Sequence, residues 1–125
     1  MRDNPQPQEP AIALEEKVGL CVSLVEEKKA EEVLVLDLRG VSSVTDYFLI
    51  CHGSSDRLVQ AITDHLLEMM KKKGVRALGV EGYTEGRWIL LDFGDLVIHV
   101  FFEETRRFYD LERLWGHAPQ LYPPD

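Results

Sequence analysis

Residues 88–102 read WILLDFGDLVIHVFF, two apolar runs separated by Gly94-Asp95. No other feature of the chain restricts its fold as much. Runs this rich in Ile, Leu, Val and aromatic residues form strands. A glycine-first pair between them suits a two-residue hairpin, because glycine supplies the positive φ that a type II′ turn requires. The turn sets the register: Phe93 faces Leu96, Asp92 faces Val97, Leu90 faces His99, and Trp88 faces Phe101. Side chains alternate along a strand, so one face carries Ile89, Leu91, Phe93, Leu96, Ile98 and Val100. That face is wholly apolar and is expected beneath helices. The other carries Trp88, Leu90, Asp92, Val97, His99 and Phe101. A three-residue loop would shift the register by one and mix the two sets.

The rest of the chain supplies the partners of this hairpin. Leu14, Val18, Cys21, Val22 and Val25 form one apolar stripe, with Glu15, Glu16, Lys17, Glu26, Glu27, Lys28 and Lys29 opposite it. That pattern predicts a helix from Ala11, after Pro10. VLVLDL (33–38) and YFLICHG (47–53) read as strands around a loop at 39–46. Ser54 or Ser55 caps a second helix, on which Leu58, Ile62, Leu66 and Met69 recur at helical spacing. It ends at Lys71-Lys72-Lys73-Gly74, with cations and a glycine where a helix terminus favours them. ALGVEG (77–82) is a third strand. Phe108, Leu111 and Trp115 predict a final helix from Thr105. The order α-β-β-α-β-β-β-α gives an α/β protein with a mixed five-stranded sheet and flanking helices. One domain, 11–118, is expected between flexible Pro-rich tails at 1–10 and 119–125.

Charge and cysteine usage narrow the function. The net charge of −8 argues against nonspecific affinity for nucleic acid or anionic lipid and is compatible with a basic protein partner. The apolar runs fall short of the ~20 residues a membrane helix needs, and the polar first residues MRDNPQPQEP do not resemble a signal or transit peptide. A cytoplasmic protein is expected. Cys21 and Cys51 form no C-x-x-C pair and read as buried free thiols. His52, His65, His99 and His117 show no metal-ligand spacing, so no metal or other cofactor is expected.

Catalytic patterns are equally sparse. Gly53-Ser54-Ser55 before a helix has the form with which nucleotidyltransferases hold phosphate. Such an enzyme then needs carboxylates alternating on the next strand to hold magnesium, and ALGVEG offers Glu81 alone. Asp92 and Asp95 lie across a turn rather than on one face. Cys51 and His52 are strand neighbours pointing to opposite faces, which rules out a nucleophile–base couple. No P-loop and no nucleophile elbow occurs. The mixed face of the hairpin therefore has two readings. Trp, Phe and Leu beside a few polar groups have the composition of an interface centre; alternatively another element covers the face and His99 is a core histidine.

Several motifs occur together in order: Thr45-Asp46-Tyr47-Phe48, Cys51-His52-Gly53-Ser54-Ser55, Gly79-Val80-Glu81-Gly82, Trp88-Ile89-Leu90-Leu91-Asp92-Phe93-Gly94-Asp95, His99-Val100-Phe101, and the run from Arg107 to Trp115. In these the chain resembles the ribosomal silencing factor family, also called the Iojap or YbeB family, over about residues 11–118. The resemblance implies a nucleotidyltransferase-like fold without the catalytic carboxylates, hence no enzyme. It implies a homodimer-forming protein that binds the large ribosomal subunit through universal large-subunit ribosomal protein 14. Such a factor blocks joining of the small subunit, represses translation when nutrients are scarce, and is linked to large-subunit assembly. The family's docking face includes the tryptophan that is Trp88 here. The expected partner-binding set is thus Trp88, Leu90, Asp92, His99 and Phe101, with Asp46 and Tyr47 of the neighbouring loop.

Overall fold

The computed structural model describes residues 12–124; the expected tail at 1–10 lies outside that range. The hairpin forms in the register set by its turn: β4 (Trp88–Asp92) pairs antiparallel with β5 (Leu96–Phe102), Trp88 opposite Phe101 and Leu90 opposite His99. Gly94 has φ +89°, and the Asp95 N–H donates back to the Phe93 carbonyl over 3.2 Å, a tight reversal open to glycine. β5 lies parallel to β2 (Tyr47–Gly53), which pairs antiparallel with β1 (Glu31–Asp37). β3 (Gly79–Glu81) pairs with β4 as one exposed edge.

The sheet has six strands, in the order β3-β4-β5-β2-β1-β6, rather than the five expected. The added strand β6 (Gln120–Tyr122) falls in the segment read as a tail and pairs antiparallel with β1. Three residues between prolines are too few to show any periodicity, so tertiary pairing creates this strand.

Helix α1 (Leu14–Glu27) and helix α2 (Asp56–Lys72) cover one face of the sheet. Ser55 caps α2 by accepting the Leu58 N–H over 3.0 Å. Between helices and sheet lies the main core, where Val18, Cys21, Val25, Ile62, Leu66 and Met70 meet Leu49, Ile89, Leu91, Ile98 and Val100. This is the wholly apolar face of the hairpin, covered as its parity required. Both cysteines are free and buried here, and burial pushes each thiol up to about 12. Lys17, placed by its charge on the solvent side of α1, is instead buried. Its Nζ reaches Asp95 Oδ1 at 2.8 Å and ties α1 to the hairpin turn.

The opposite face is covered over half its width. The final helix expected from Thr105 is two short helices, α3 (Glu103–Tyr109) and α4 (Leu111–Leu114), separated by Asp110 in the left-handed region at φ +49°. Aspartate tolerates that conformation better than most residues. The break turns Leu111 and Trp115 down onto β5, β2 and β1, where they join Leu36, Phe48, Ile50, Val97, Phe101 and Ala118 in a second, smaller core. It leaves Phe108 79% exposed. Among the described residues, no helix packs over the β3–β4 side of this face beyond Tyr109 at Trp88.

Candidate functional site

Trp88 stands at the boundary between the covered and open halves of the second face. Its ring is half-buried, with Phe101 at 4.8 Å and Tyr109 at 5.1 Å between centroids. Its Nε1–H points inward and donates to His99 Nδ1 over 3.1 Å. Indole nitrogen has only a proton to give. His99 is therefore the acceptor at Nδ1 and carries its own proton on Nε2. His99 is 4% exposed, and desolvation pushes it down to about 4 from the usual 6.5, so the ring is neutral at physiological pH. Phe48 packs against it edge-on at 4.5 Å.

Beside Trp88, a shallow hollow of about 350 Å³ is lined by Glu81, Gly82, Trp88 and Leu90. Gly82 has φ +83°, and any side chain there would collide with the Trp88 carbonyl. The turn thus runs hard against β4 without covering the indole. On the other side of Trp88, Tyr109 leads to Phe108, whose ring lies 5.0 Å away, and a second hollow of about 410 Å³ includes both with Arg87, Glu104 and Thr105. The exposed surface is therefore aromatic and continuous from Leu90 through Trp88 and Tyr109 to Phe108. Exposed charges stand beside it: Glu81 at the first hollow, Glu104 and Arg87 at the second, and Asp110 next to Tyr109.

The residues expected to bind a partner divide into two groups. Trp88 and Leu90 face solvent in part. Asp92 is half-buried and its Oδ1 accepts the Gly94 N–H over 2.8 Å, which stabilises the turn. Asp46 is half-buried beside that turn, and its N–H donates to the Asp95 carbonyl. His99, Phe101 and Tyr47 differ from the rest of the set: at 4%, 0% and 2% exposure they are buried beneath the surface rather than part of it. His99 and Phe101 lie beneath the α3–α4 segment, and Tyr47 points into the main core with the Arg39 guanidinium 5.1 Å over its ring. Sequence reasoning missed Tyr109 and Phe108. The helical pattern drew Phe108 inward with Leu111 and Trp115, and the aspartate between them was the one sign of a break.

The remaining chemical clusters are structural. Glu31, His52 and Glu103 bring their ligand atoms within 4.8 Å of one another, a spacing a metal could use. Arg106, however, sits 3.0 Å from His52 Nδ1 and can only donate. The His52 proton is thereby held on Nε2, facing Glu31 at 3.2 Å, so the nitrogen a metal would need is already a donor. Arg106 also donates to Glu112 over 2.8 Å, and together these contacts fasten α3 and α4 to the sheet. Cys51 and His52 point to opposite faces, Cys51 into the main core. Asp92 is committed to Gly94 and Asp95 to Lys17, so the two do not converge. Among the described residues, no helix is long and apolar enough to cross a membrane.

Comparison with known proteins gives a consistent result. The family model described as "Ribosomal silencing factor during starvation" matches residues 11–125. A ribosomal silencing factor of Halalkalibacterium halodurans is 46% identical over 107 residues, covering 86% of this chain and 92% of that protein. The mouse protein named for mitochondrial assembly of the ribosomal large subunit is 35% identical over 101 residues, which are 78% of this chain and 44% of the mouse protein. A crystal structure of a Chromobacterium violaceum protein superposes with a TM-score of 0.82 at 32% identity, covering 84% of this chain and 88% of that one.

Proposed function

This chain belongs to the ribosomal silencing factor family, and from that premise we propose that it binds the large ribosomal subunit through universal large-subunit ribosomal protein 14 and blocks joining of the small subunit. It acts by occupying a surface, not by catalysis, and so represses translation when nutrients are scarce. A part in large-subunit assembly accords with the mouse relative's name. The frame is that of a nucleotidyltransferase without its catalytic carboxylates. The factor works in the cytoplasm and forms a homodimer.

One observation carries this reading: the Trp88 surface. A half-covered sheet face that exposes Trp, Leu and Tyr has the make-up of an interface centre, rich in aromatics and poor in charge, with charges at its rim. The acids around it, on a chain of net charge −8, complement a basic ribosomal protein. Sedimentation through sucrose with isolated subunits tests the proposal. The protein should travel with free large subunits, not with small ones, and be depleted from joined ribosomes. Trp88→Ala should lose about thirtyfold or more in affinity, roughly 2 kcal/mol, while keeping a cooperative melt. Equal recovery of wild type in joined ribosomes would refute occlusion, and undiminished binding by Trp88→Ala would refute the surface.

A further inference from the structure

We propose that His99, buried behind Trp88, is a positioning residue for docking: it draws the Trp88 N–H inward and so presents an apolar indole edge and face to the large subunit. The inference rests on the reading that this surface docks there.

The geometry supports it in three steps. First, an indole on a surface normally keeps its N–H in water, and a partner that covers it must supply an acceptor or leave a buried donor unmade. Here the acceptor is internal, at 3.1 Å, and already dehydrated. Docking on Trp88 therefore breaks no hydrogen bond to water at that nitrogen. Second, the ring is wedged between Phe101 and Tyr109, so the bond to His99 selects which edge faces out. A ring fixed before binding loses less freedom on binding. Third, desolvation of the buried ring holds His99 neutral, so Nδ1 keeps its lone pair at physiological pH. Among the described residues, the one hydrogen bond the ring makes is the one Nδ1 accepts from Trp88. The partner group that meets Trp88 is accordingly an aliphatic side chain with no acceptor to offer, and the basic residues of the partner lie further out, opposite Glu81 and Glu104.

The test uses full-length protein and isolated large ribosomal subunits. In the free protein the Trp88 indole proton, followed by NMR, should exchange slowly with solvent, and in His99→Leu it should exchange fast. His99→Leu should bind large subunits about three- to tenfold more weakly, the worth of one hydrogen bond. His99→Asn, whose Oδ1 falls near the position of Nδ1, should recover most of that loss. In a Trp88→Phe background, which lacks the donor, His99→Leu should change affinity no further. A His99→Leu variant with full affinity, or with the same loss beside Phe at 88, would overturn the proposal, since a merely structural histidine would act regardless of the donor. His99→Phe, flanked by Phe48 and Phe101, replaces the leucine variant if that one fails to fold. Wild type that does not bind large subunits would overturn the docking reading instead. Exchange in the free protein would still decide whether His99 holds the indole.

Discussion

The two faces of the sheet are built from the same kind of strand residue and finished differently. Under α1 and α2 every inward position of β4 and β5 is aliphatic or aromatic, and the layer is closed except at the edge strand β3, where Val80 is 37% exposed. On the other face the covering elements are short. Helices α3 and α4 together span eleven residues, seven and four, and cover the β5, β2 and β1 side, with Tyr109 reaching Trp88 at the border with β4. They are held there by one buried arginine and a few apolar contacts rather than by a long stripe. The contrast teaches where stability and recognition separate. The closed face carries the fold, while the half-closed face leaves Trp88 at its border, supported from below and open from above.

The largest effect should come from the closed face. Leu91 is fully buried between the helices and the hairpin, and Leu91→Ala removes its contacts and leaves a cavity that the surroundings fill only in part. A loss of about 2–5 kcal/mol is expected, read as a fall in the denaturant midpoint. A loss below 1 kcal/mol would show that the two faces are equally loose. On the second face the comparable lever is polar. Arg106 is 3% exposed and serves His52, Glu112 and the Glu31 carbonyl. Arg106→Leu strands those groups, so about 3 kcal/mol should be lost. Hydrogen exchange should localise the loosening to α3 and α4. Uniform loosening would contradict the idea that this arginine fastens a separate layer.

Acid should probe the second face selectively. Burial lowers His99 from 6.5 to about 4. As pH falls below 6.5 the unfolded chain takes up a proton at this site while the folded chain refuses it until about 4. Stability contributed by the neutral ring is therefore complete above 6.5 and lost across that window, by about 3 kcal/mol at its lower end. Urea titrations at neutral pH and at about pH 4.5 should show a smaller drop for His99→Leu than for wild type. Equal drops would mean that the ring is more hydrated than its surroundings imply.

Much of this contrast was legible in the sequence, and the missing parts share a cause. The hairpin register followed from Gly94-Asp95 because a two-residue turn leaves no freedom, and it correctly divided Ile89 and Leu91 from Trp88 and Leu90. The burial of Lys17 was not legible, since a lysine among glutamates reads as a solvated face until a partner such as Asp95 arrives from 78 residues away. Strand β6 was not legible because its pairing with β1 is long-range. The roles of His99 and Phe101 were half legible. Parity gave their face, but the cover above them depends on a left-handed aspartate that periodicity cannot detect.

The smallest expected effect on stability makes the sharpest test of where the open surface ends. Phe108 is 79% exposed, touches Tyr109 and lies beyond the residues that sequence alone assigned to docking. Replacing an exposed aromatic that fills no cavity changes folding by about 0.5 kcal/mol or less. Phe108→Ser should therefore melt with wild type. If the docking surface continues along the aromatic path from Trp88 through Tyr109, the same change should weaken large-subunit binding by about 1 kcal/mol or more, some fivefold. Leu111→Ser, three residues on but turned inward by the break at Asp110, should do the reverse and cost stability before affinity. Both variants measured by thermal melt and by subunit titration would locate the border between the two halves of the face. Unchanged binding by Phe108→Ser would confine docking to the β3–β4 side and leave the exposed end of α3 without a part in it.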